Sequence, residues 1–322
     1  MDSITIPKSV SEELEDVNRK LLTFIGDSRF NFLSELLSHI FGSSGKRIRP
    51  TLTLLSAGFN DHHDEKVQTM AAAVEMLHIA TLIHDDTVDE SDTRRGRTTI
   101  SKQWGQHTAV LVGDYIFAAS ATYVCKTENV EVIQRFSETI MELASGELQE
   151  STASKNLNVT LNEYMDRIYF KTAALFTTAG ESGAILSGAN DNVVHNLKEY
   201  SKYIGLAFQV MDDILDFQGS TKSMGKPIGA DILNGVITLP TIYAMEDRRL
   251  REKISTLYSR EFLPELHREI VEDIGTSDAI TRTYEYATKL CQKALQHLIH
   301  IPGNPHRESL EEIPKFILRR ES

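Results

Sequence analysis

The 322-residue chain is 41% hydrophobic and 25% charged, an ordinary globular composition with material for one sizeable core. Its formal net charge of −12 argues against nucleic acid as the main partner, because phosphate backbones require clustered lysine and arginine. Two cysteines far apart, Cys125 and Cys291, suggest neither a disulfide framework nor a zinc site; both are expected as buried packing residues in a reducing cytosol.

Glu12, Glu13, Glu15 and Asp16 stand where a targeting segment would need basic and apolar residues, so neither a signal nor a transit peptide is expected. No stretch approaches the roughly 18 uninterrupted apolar residues of a membrane span, and stable membrane insertion is not expected. Residues 9–25 predict a first helix, with Leu14, Val17, Leu21 and Leu22 at helical spacing. A second over 30–41 ends at Gly42-Ser43-Ser44-Gly45. Lys46-Arg47-Ile48-Arg49-Pro50 follows, ahead of an apolar helix over 52–59. Three cations in four residues suit an anion, and equally a solvated basic turn.

Residues 64–89 predict a long helix ending in Leu82-Ile83-His84-Asp85-Asp86-Thr87-Val88-Asp89. At about 100° per residue Asp85, Asp86 and Asp89 share a face. Carboxylates crowded in a helical interior repel and desolvate one another unless a cation sits among them, and at a helix C-terminus they also oppose the macrodipole. His78, seven residues earlier, falls on nearly the same face. The loop that follows carries Arg94 and Arg95, planar forks suited to phosphate oxygens or to pairing with Asp89, Glu90 or Asp92.

Helix then follows helix over 109–124, 130–150, 161–187 and 190–217, with no convincing strand pattern. Lys171-Thr172 falls inside the third. In the fourth, Gln209, Asp212, Asp213 and Asp216 at i, i+3, i+4 and i+7 share a face and echo the first aspartate set. Oxygen donors without cysteine or paired histidine favour a hard ion, Mg²⁺ before Ca²⁺ or Zn²⁺. Mg²⁺ takes one or two carboxylates plus substrate phosphates, so two such sets suggest a diphosphate held between two helices. A loop over 219–234 carries Lys226-Pro227 and Asp231, Thr238-Leu239-Pro240 opens another helix, 277–298 is helical, and Pro314 interrupts a last segment over 306–320. With no linker and no repeat beyond the doubled motif, the expectation is one all-α domain over 1–322.

In order and spacing these motifs resemble the trans-isoprenyl diphosphate synthases, most closely the bacterial-type polyprenyl diphosphate synthases, strongly over 45–240 and more loosely to the C-terminus. The resemblance implies a large helical bundle around a central cavity, usually a homodimer. It implies that Asp85, Asp86, Asp89, Asp212, Asp213 and Asp216 hold Mg²⁺ and, through it, an allylic diphosphate. Arg94, Lys171 and Lys226 would contact that diphosphate; Lys46, Arg49, His78 and Arg95 would bind isopentenyl diphosphate; Thr172 and Gln209 would line the reaction centre. Val236 departs from the lysine or asparagine of many relatives, and Thr98 from the proline often found after the arginine pair.

In such enzymes product length depends on what blocks the tunnel below the first aspartate set. Ala80 and Thr81 leave that space open where short-chain enzymes carry an aromatic floor, and Met76, Tyr123 or Val124 would close it deeper. The expectation is a hexaprenyl to decaprenyl product, with geranylgeranyl diphosphate as runner-up. A terpene cyclase would lack the second aspartate set and the basic turn at 45–50. A silent partner subunit would have lost acidic or basic residues, and a di-iron protein would need a second Glu-x-x-His pair beside Glu75 and His78.

Overall fold

The computed structural model describes residues 6–26, 30–42, 45–60, 65–94, 96–218, 228–259 and 263–320. The chain is all-α, as its periodicity predicts. In order come α1 (Lys8–Gly26), α2 (Asn31–Phe41), α3 (Ile48–Ala57), α4 (Glu65–Val88), α5 (Ile100–Trp104), α6 (Gln106–Cys125) and α7 (Val130–Thr152). A rod of α8 (Leu161–Ile168), a π turn (Tyr169–Ala173) and α9 (Ala174–Leu186) follows, then α10 (Asp191–Gln218), α11 (Ala230–Leu233) and α12 (Leu239–Ala244). Helices α13 (Arg248–Ser259), α14 (Pro264–Thr276), α15 (Asp278–Leu298) and α16 (Pro305–Leu318) complete the bundle. Extended structure among the described residues is one antiparallel ribbon, β1 (Thr93–Arg94) against β2 (Arg97–Thr98), which the sequence pattern did not suggest. Two residues per strand are too few to show alternation.

Helix α9 is the axis. Every residue from Ala174 to Ala184 is buried, the signature of a helix packed on all sides. Small residues make this possible: a Cβ on Gly183 would lie 2.2 Å from the Thr53 carbonyl oxygen of α3, and one on Gly180 would strike the Ser201 hydroxyl of α10. Helices α3, α4, α7 and α10 surround it, α4 packs most extensively on α6, and α10 on α15. The two aspartate-bearing helices are thus placed on either side of one buried rod.

The π turn lies where α7 and α10 press closest. A Cβ on Gly146 would stand 2.7 Å from the Lys171 nitrogen, and one on Gly205 2.6 Å from the Ala173 Cα. The extra residue per turn lets the rod bulge between these two glycines, a distortion that often marks functional sites in helices. Thr160 starts the rod with a capping box, its hydroxyl accepting from the Glu163 amide while Glu163 accepts from the Thr160 amide.

Two expectations are corrected. Pro314 does not interrupt the last helix, which runs through it from Pro305 to Leu318. A proline leaves the carbonyl four residues earlier without its helical donor; here the hydroxyl of fully buried Tyr200 donates to that Leu310 oxygen at 2.6 Å. Cys125 is exposed, whereas Cys291 is buried and its thiol is pushed up to about 12 by burial. Among the described residues α6 is one helix long and apolar enough to cross a membrane, at mean hydropathy 1.4, although Asp114 interrupts it; a third of that window is buried in this chain.

Replacing Gly146 with alanine is expected to lower both the urea midpoint and turnover. The backbone of the π turn cannot yield as a side chain can, so overpacking of about 1–3 kcal/mol outweighs the roughly 1 kcal/mol that alanine gains in helix propensity. Equilibrium unfolding checks it, and an unchanged or higher midpoint contradicts it.

Candidate active site

The first aspartate set divides. Asp86 turns to the ribbon, where both its oxygens accept from Arg94 Nε at 2.7 and 2.8 Å. Asp85 feels Glu147 and Lys171 as well as Arg94 and Asp89. Burial, reinforced by Glu147, pushes the Asp85 carboxyl up to about 7 against the pull of Lys171 and Arg94. Asp89 is exposed at the helix end. Beside the Asp86–Arg94 pair opens a cleft of about 670 Å³, solvent space included, with Ile79, Leu82 and Ile100 on its walls and Arg97 and His39 at its rim.

Lys171 stands in the π turn with its Nζ 2.5 Å from Glu150 Oε1 and 3.3 Å from Glu147 Oε1, both on α7. Burial alone would lower its pKa, but Glu150 and Glu147 outweigh that and hold the ammonium charged. Its field also reaches Asp85 and Asp231. Burial raises Glu147 as well, opposed chiefly by Lys171. One lysine therefore sits among more carboxylates than it can neutralise.

The second set also divides. Asp212 pairs with Arg320 at 2.7 Å, and Arg320 stacks 4.0 Å over the Phe208 ring. Asp213 accepts from the Tyr164 hydroxyl at 2.6 Å and from Gln209 Nε2 at 2.9 Å, while Thr172 Oγ1 donates to Gln209 Oε1 at 2.6 Å. Burial still pushes Asp213 up to about 7. Asp216 accepts from the amides of Ala230 and Asp231, both at 3.2 Å, and so fastens the start of α11 to α10. Asp231 is raised well above the carboxylate range by burial and by Asp216 and Asp213.

The basic turn converges on the same corner. Arg49 lies 4.4 Å over the Phe176 ring and Lys46 Nζ 5.2 Å over Phe316, and both cations draw Asp212 down against its burial. Arg47, left-handed at φ 49°, pairs instead with buried Glu75. The Arg94 partner is Asp86, and Asp92 takes Lys102. His78 is half-buried on α4, with its carbonyl accepting from Thr81 Oγ1 at 2.8 Å. Arg95 and Lys226 lie outside the described residues.

Among the described residues no three acidic, histidine or cysteine side chains are gathered closely enough to form a ready-made metal site. The donors nevertheless fit a hard divalent ion. They are carboxylates only, with Asp85 raised by burial and by Glu147, and Mg²⁺ typically binds one or two carboxylates with phosphate oxygens and water.

Residues 30–274 match the family model described as "Polyprenyl synthetase". The chain is 37% identical over 319 residues to solanesyl-diphosphate synthase 2, chloroplastic, of Oryza sativa subsp. japonica, a match spanning 97% of this chain and 78% of that protein. It superposes on heptaprenyl diphosphate synthase from Staphylococcus aureus with a TM-score of 0.94 at 35% identity, covering 97% and 99% of the two chains. It matches a polyprenyl synthase from Caulobacter crescentus CB15, complexed with calcium and isoprenyl diphosphate, with a TM-score of 0.93 at 33% identity over the whole of both chains. The chain belongs to the polyprenyl synthetase family of trans-isoprenyl diphosphate synthases. It is an enzyme, a prenyltransferase that joins an allylic diphosphate to isopentenyl diphosphate.

Glu147, Glu150, Tyr164 and Arg320 were not singled out from the sequence, and Asp231 was noted there only as part of the loop over 219–234. A signal existed for the first two: spaced by three on the stretch that follows Gly146, they present carboxylates on one side of a helix.

Stability should show the crowding. An acid whose native pKa stands above its unfolded value near 3.9 binds more protons folded than unfolded between the two, so stability falls as pH rises through that window. For Asp85 and Asp213 the window runs from about 4 to about 7. The metal-free protein is expected to lose melting temperature over this range. Mg²⁺ should raise the melting temperature more at pH about 8 than at about 5.5, because protons compete for the same oxygens. Thermal melts in chelator and in Mg²⁺ check this; an increment independent of pH contradicts it.

Proposed function

We propose that this chain makes an all-trans polyprenyl diphosphate longer than five isoprene units, hexaprenyl to decaprenyl, by Mg²⁺-dependent addition of isopentenyl diphosphate to an allylic diphosphate. The observation that carries the reading is the cluster of carboxylates around Lys171, namely Glu147, Glu150 and the burial-raised Asp85, which bound divalent cations would balance. Asp85, Asp86, Asp89, Asp212, Asp213 and Asp216 are the acids assigned to those ions. Asp85, raised to about 7 by burial and Glu147, and Asp212, paired with Arg320, are read as direct ligands, with Asp86, Asp213 and Asp216 also holding the surrounding backbone and side chains. Bound Mg²⁺ would supply Lewis-acid stabilisation to the departing diphosphate.

The chain's own residues supply the rest. Arg94, Lys171 and Lys226 are assigned to the allylic diphosphate, with Arg94 pre-oriented by Asp86 so that its remaining guanidinium nitrogens can meet phosphate oxygens. Lys46, Arg49, His78 and Arg95 are assigned to isopentenyl diphosphate; the cation-π contacts of Lys46 and Arg49 with Phe316 and Phe176 orient two of these charges. Thr172 and Gln209 line the point where the allylic carbon loses its diphosphate and the double bond of isopentenyl diphosphate attacks. As positive charge develops there, oxygen dipoles aimed at it stabilise it without reorganising.

The long product rests on α4. Ala80 is fully buried and Thr81 returns its hydroxyl to its own helix, so neither fills the space below Asp85 as a ring would. Met76, fully buried one turn below Ala80, and Tyr123 on α6, whose hydroxyl donates to the Lys20 carbonyl at 3.4 Å, are assigned as the deeper floor. The solanesyl and heptaprenyl names of the similar proteins agree with a long product. Mg²⁺, isopentenyl diphosphate and separate allylic primers, followed by chromatography of the dephosphorylated products, test this. The expected ladder ends beyond five units, and Ala80→Phe shortens it. A stop at three or four units in the wild type overturns the long product.

A homodimer in the cytoplasm completes the reading, with residues 1–322 as one domain. Val110, Leu111 and Tyr115 on α6 and Met141 and Leu148 on α7 are exposed apolar side chains that a second copy would cover. Leu111→Glu combined with Met141→Glu is expected to give a monomer in sedimentation velocity; an unchanged dimer places the interface elsewhere.

A further inference from the structure

Behind the reaction centre runs a hydrogen-bonded chain from Tyr164 through Asp213 and Gln209 to Thr172. Tyr164 is fully buried and Asp213 nearly so. Tyr164 donates to Asp213 Oδ2, Gln209 Nε2 donates to Asp213 Oδ1, and Thr172 Oγ1 donates to Gln209 Oε1, at 2.6, 2.9 and 2.6 Å. Each Asp213 oxygen thus accepts one donor, and a carboxylate's remaining lone pairs stay available. Gln209 presents its NH₂ to Asp213 and therefore its carbonyl to Thr172. The Thr172 hydroxyl then has one place for its hydrogen, the Gln209 oxygen, and its lone pairs are left for other directions.

The ends of this chain are anchored independently of it. The Arg167 guanidinium lies 5.7 Å over the Tyr164 ring and donates to the Ile237 carbonyl, fixing α8 against the segment before α12. Thr172 is held in the π turn between Gly146 and Gly205. What Tyr164 adds is direction, not mere proximity: without its hydroxyl, one oxygen of Asp213 loses its buried donor and the Gln209 amide loses the fixed acceptor that orients it.

We propose that Tyr164 is a positioning residue for prenyl transfer, acting through Asp213 and Gln209 to keep the Thr172 hydroxyl hydrogen turned away from the reaction centre. The inference rests on the prenyl-transfer reading, since it needs a positive charge to develop beside Thr172. A lone pair facing that charge stabilises the transition state more than the uncharged allylic carbon of the ground state, so the effect belongs in kcat and not in KM.

A double-mutant cycle of Tyr164→Phe and Thr172→Val, in steady-state kinetics with the melting temperature recorded for each protein, is the test. Tyr164→Phe is expected to lower kcat about tenfold or more, with both KM values within about twofold. In the Thr172→Val background the same change is expected to cost nothing further, because there is no hydroxyl left to direct; in Thr172→Ser the full cost should return. Gln209→Leu breaks the chain one link nearer to Thr172, and its kcat loss should likewise vanish in Thr172→Val, which keeps the test available if Tyr164→Phe does not fold. Losses that multiply across the cycle, or that fall in KM, overturn the positioning role while leaving the enzyme reading intact. A folded wild type inactive with every allylic primer overturns both.

Discussion

Lys171 between Glu147 and Glu150 is the interaction on which the rest of the centre depends. Desolvated carboxylates are costly unless compensated, and this lysine compensates only part of what surrounds it: it draws Asp85 and Glu147 down, yet burial leaves Asp85 at about 7. On the proposed reading, cations and a diphosphate entering together would relieve that charge. The same imbalance explains how a chain with net charge −12 handles an anion. Its positive groups cluster locally, Lys46 and Arg49 within the field of Asp212 and Arg94 on Asp86, beside the acids proposed to hold metal ions.

Rigidity around Lys171 comes from backbone contact, not from long side chains. Gly146 and Gly205 let α7 and α10 close on the π turn, and the fully buried α9 carries that turn as the end of a rod. Elements that meet backbone to backbone have few alternative packings, so Lys171 and Thr172 hold their places before substrate arrives. The pairings of Asp86 with Arg94 and of Asp216 with the α11 amides extend the same order outward, fixing the Arg94 guanidinium and the return of the chain after α10.

The helices were legible because apolar residues at a period near 3.6 mark them without ambiguity, and the aspartate sets because clustered acids on apolar helices contradict that pattern. Legibility failed where the deciding contact is long-range. Glu147 and Glu150 lie on an amphipathic helix where glutamate is an ordinary surface residue; only the approach of Lys171 makes them part of the centre. Arg320 reaches Asp212 across more than a hundred residues, and Tyr164 looks like any core aromatic until its hydroxyl meets Asp213. Pro314 misled for the same reason, since the hydroxyl that satisfies the freed Leu310 carbonyl comes from Tyr200 on another helix. Helical spacing places aspartates around one helix, but it does not reveal that Asp86 and Asp85 serve different neighbours.

The central claim is that the acids around Lys171 are balanced by divalent ions held together with a diphosphate. Anomalous diffraction from crystals grown with Mn²⁺ and an unreactive allylic thiodiphosphate tests it most directly. The account predicts anomalous peaks beside Asp85 and Asp89 and a further peak at Asp212, with the Arg320 guanidinium displaced from it and the diphosphate between the two helices. Diphosphate bound there without metal, or metal bound away from both aspartate sets, would contradict the account.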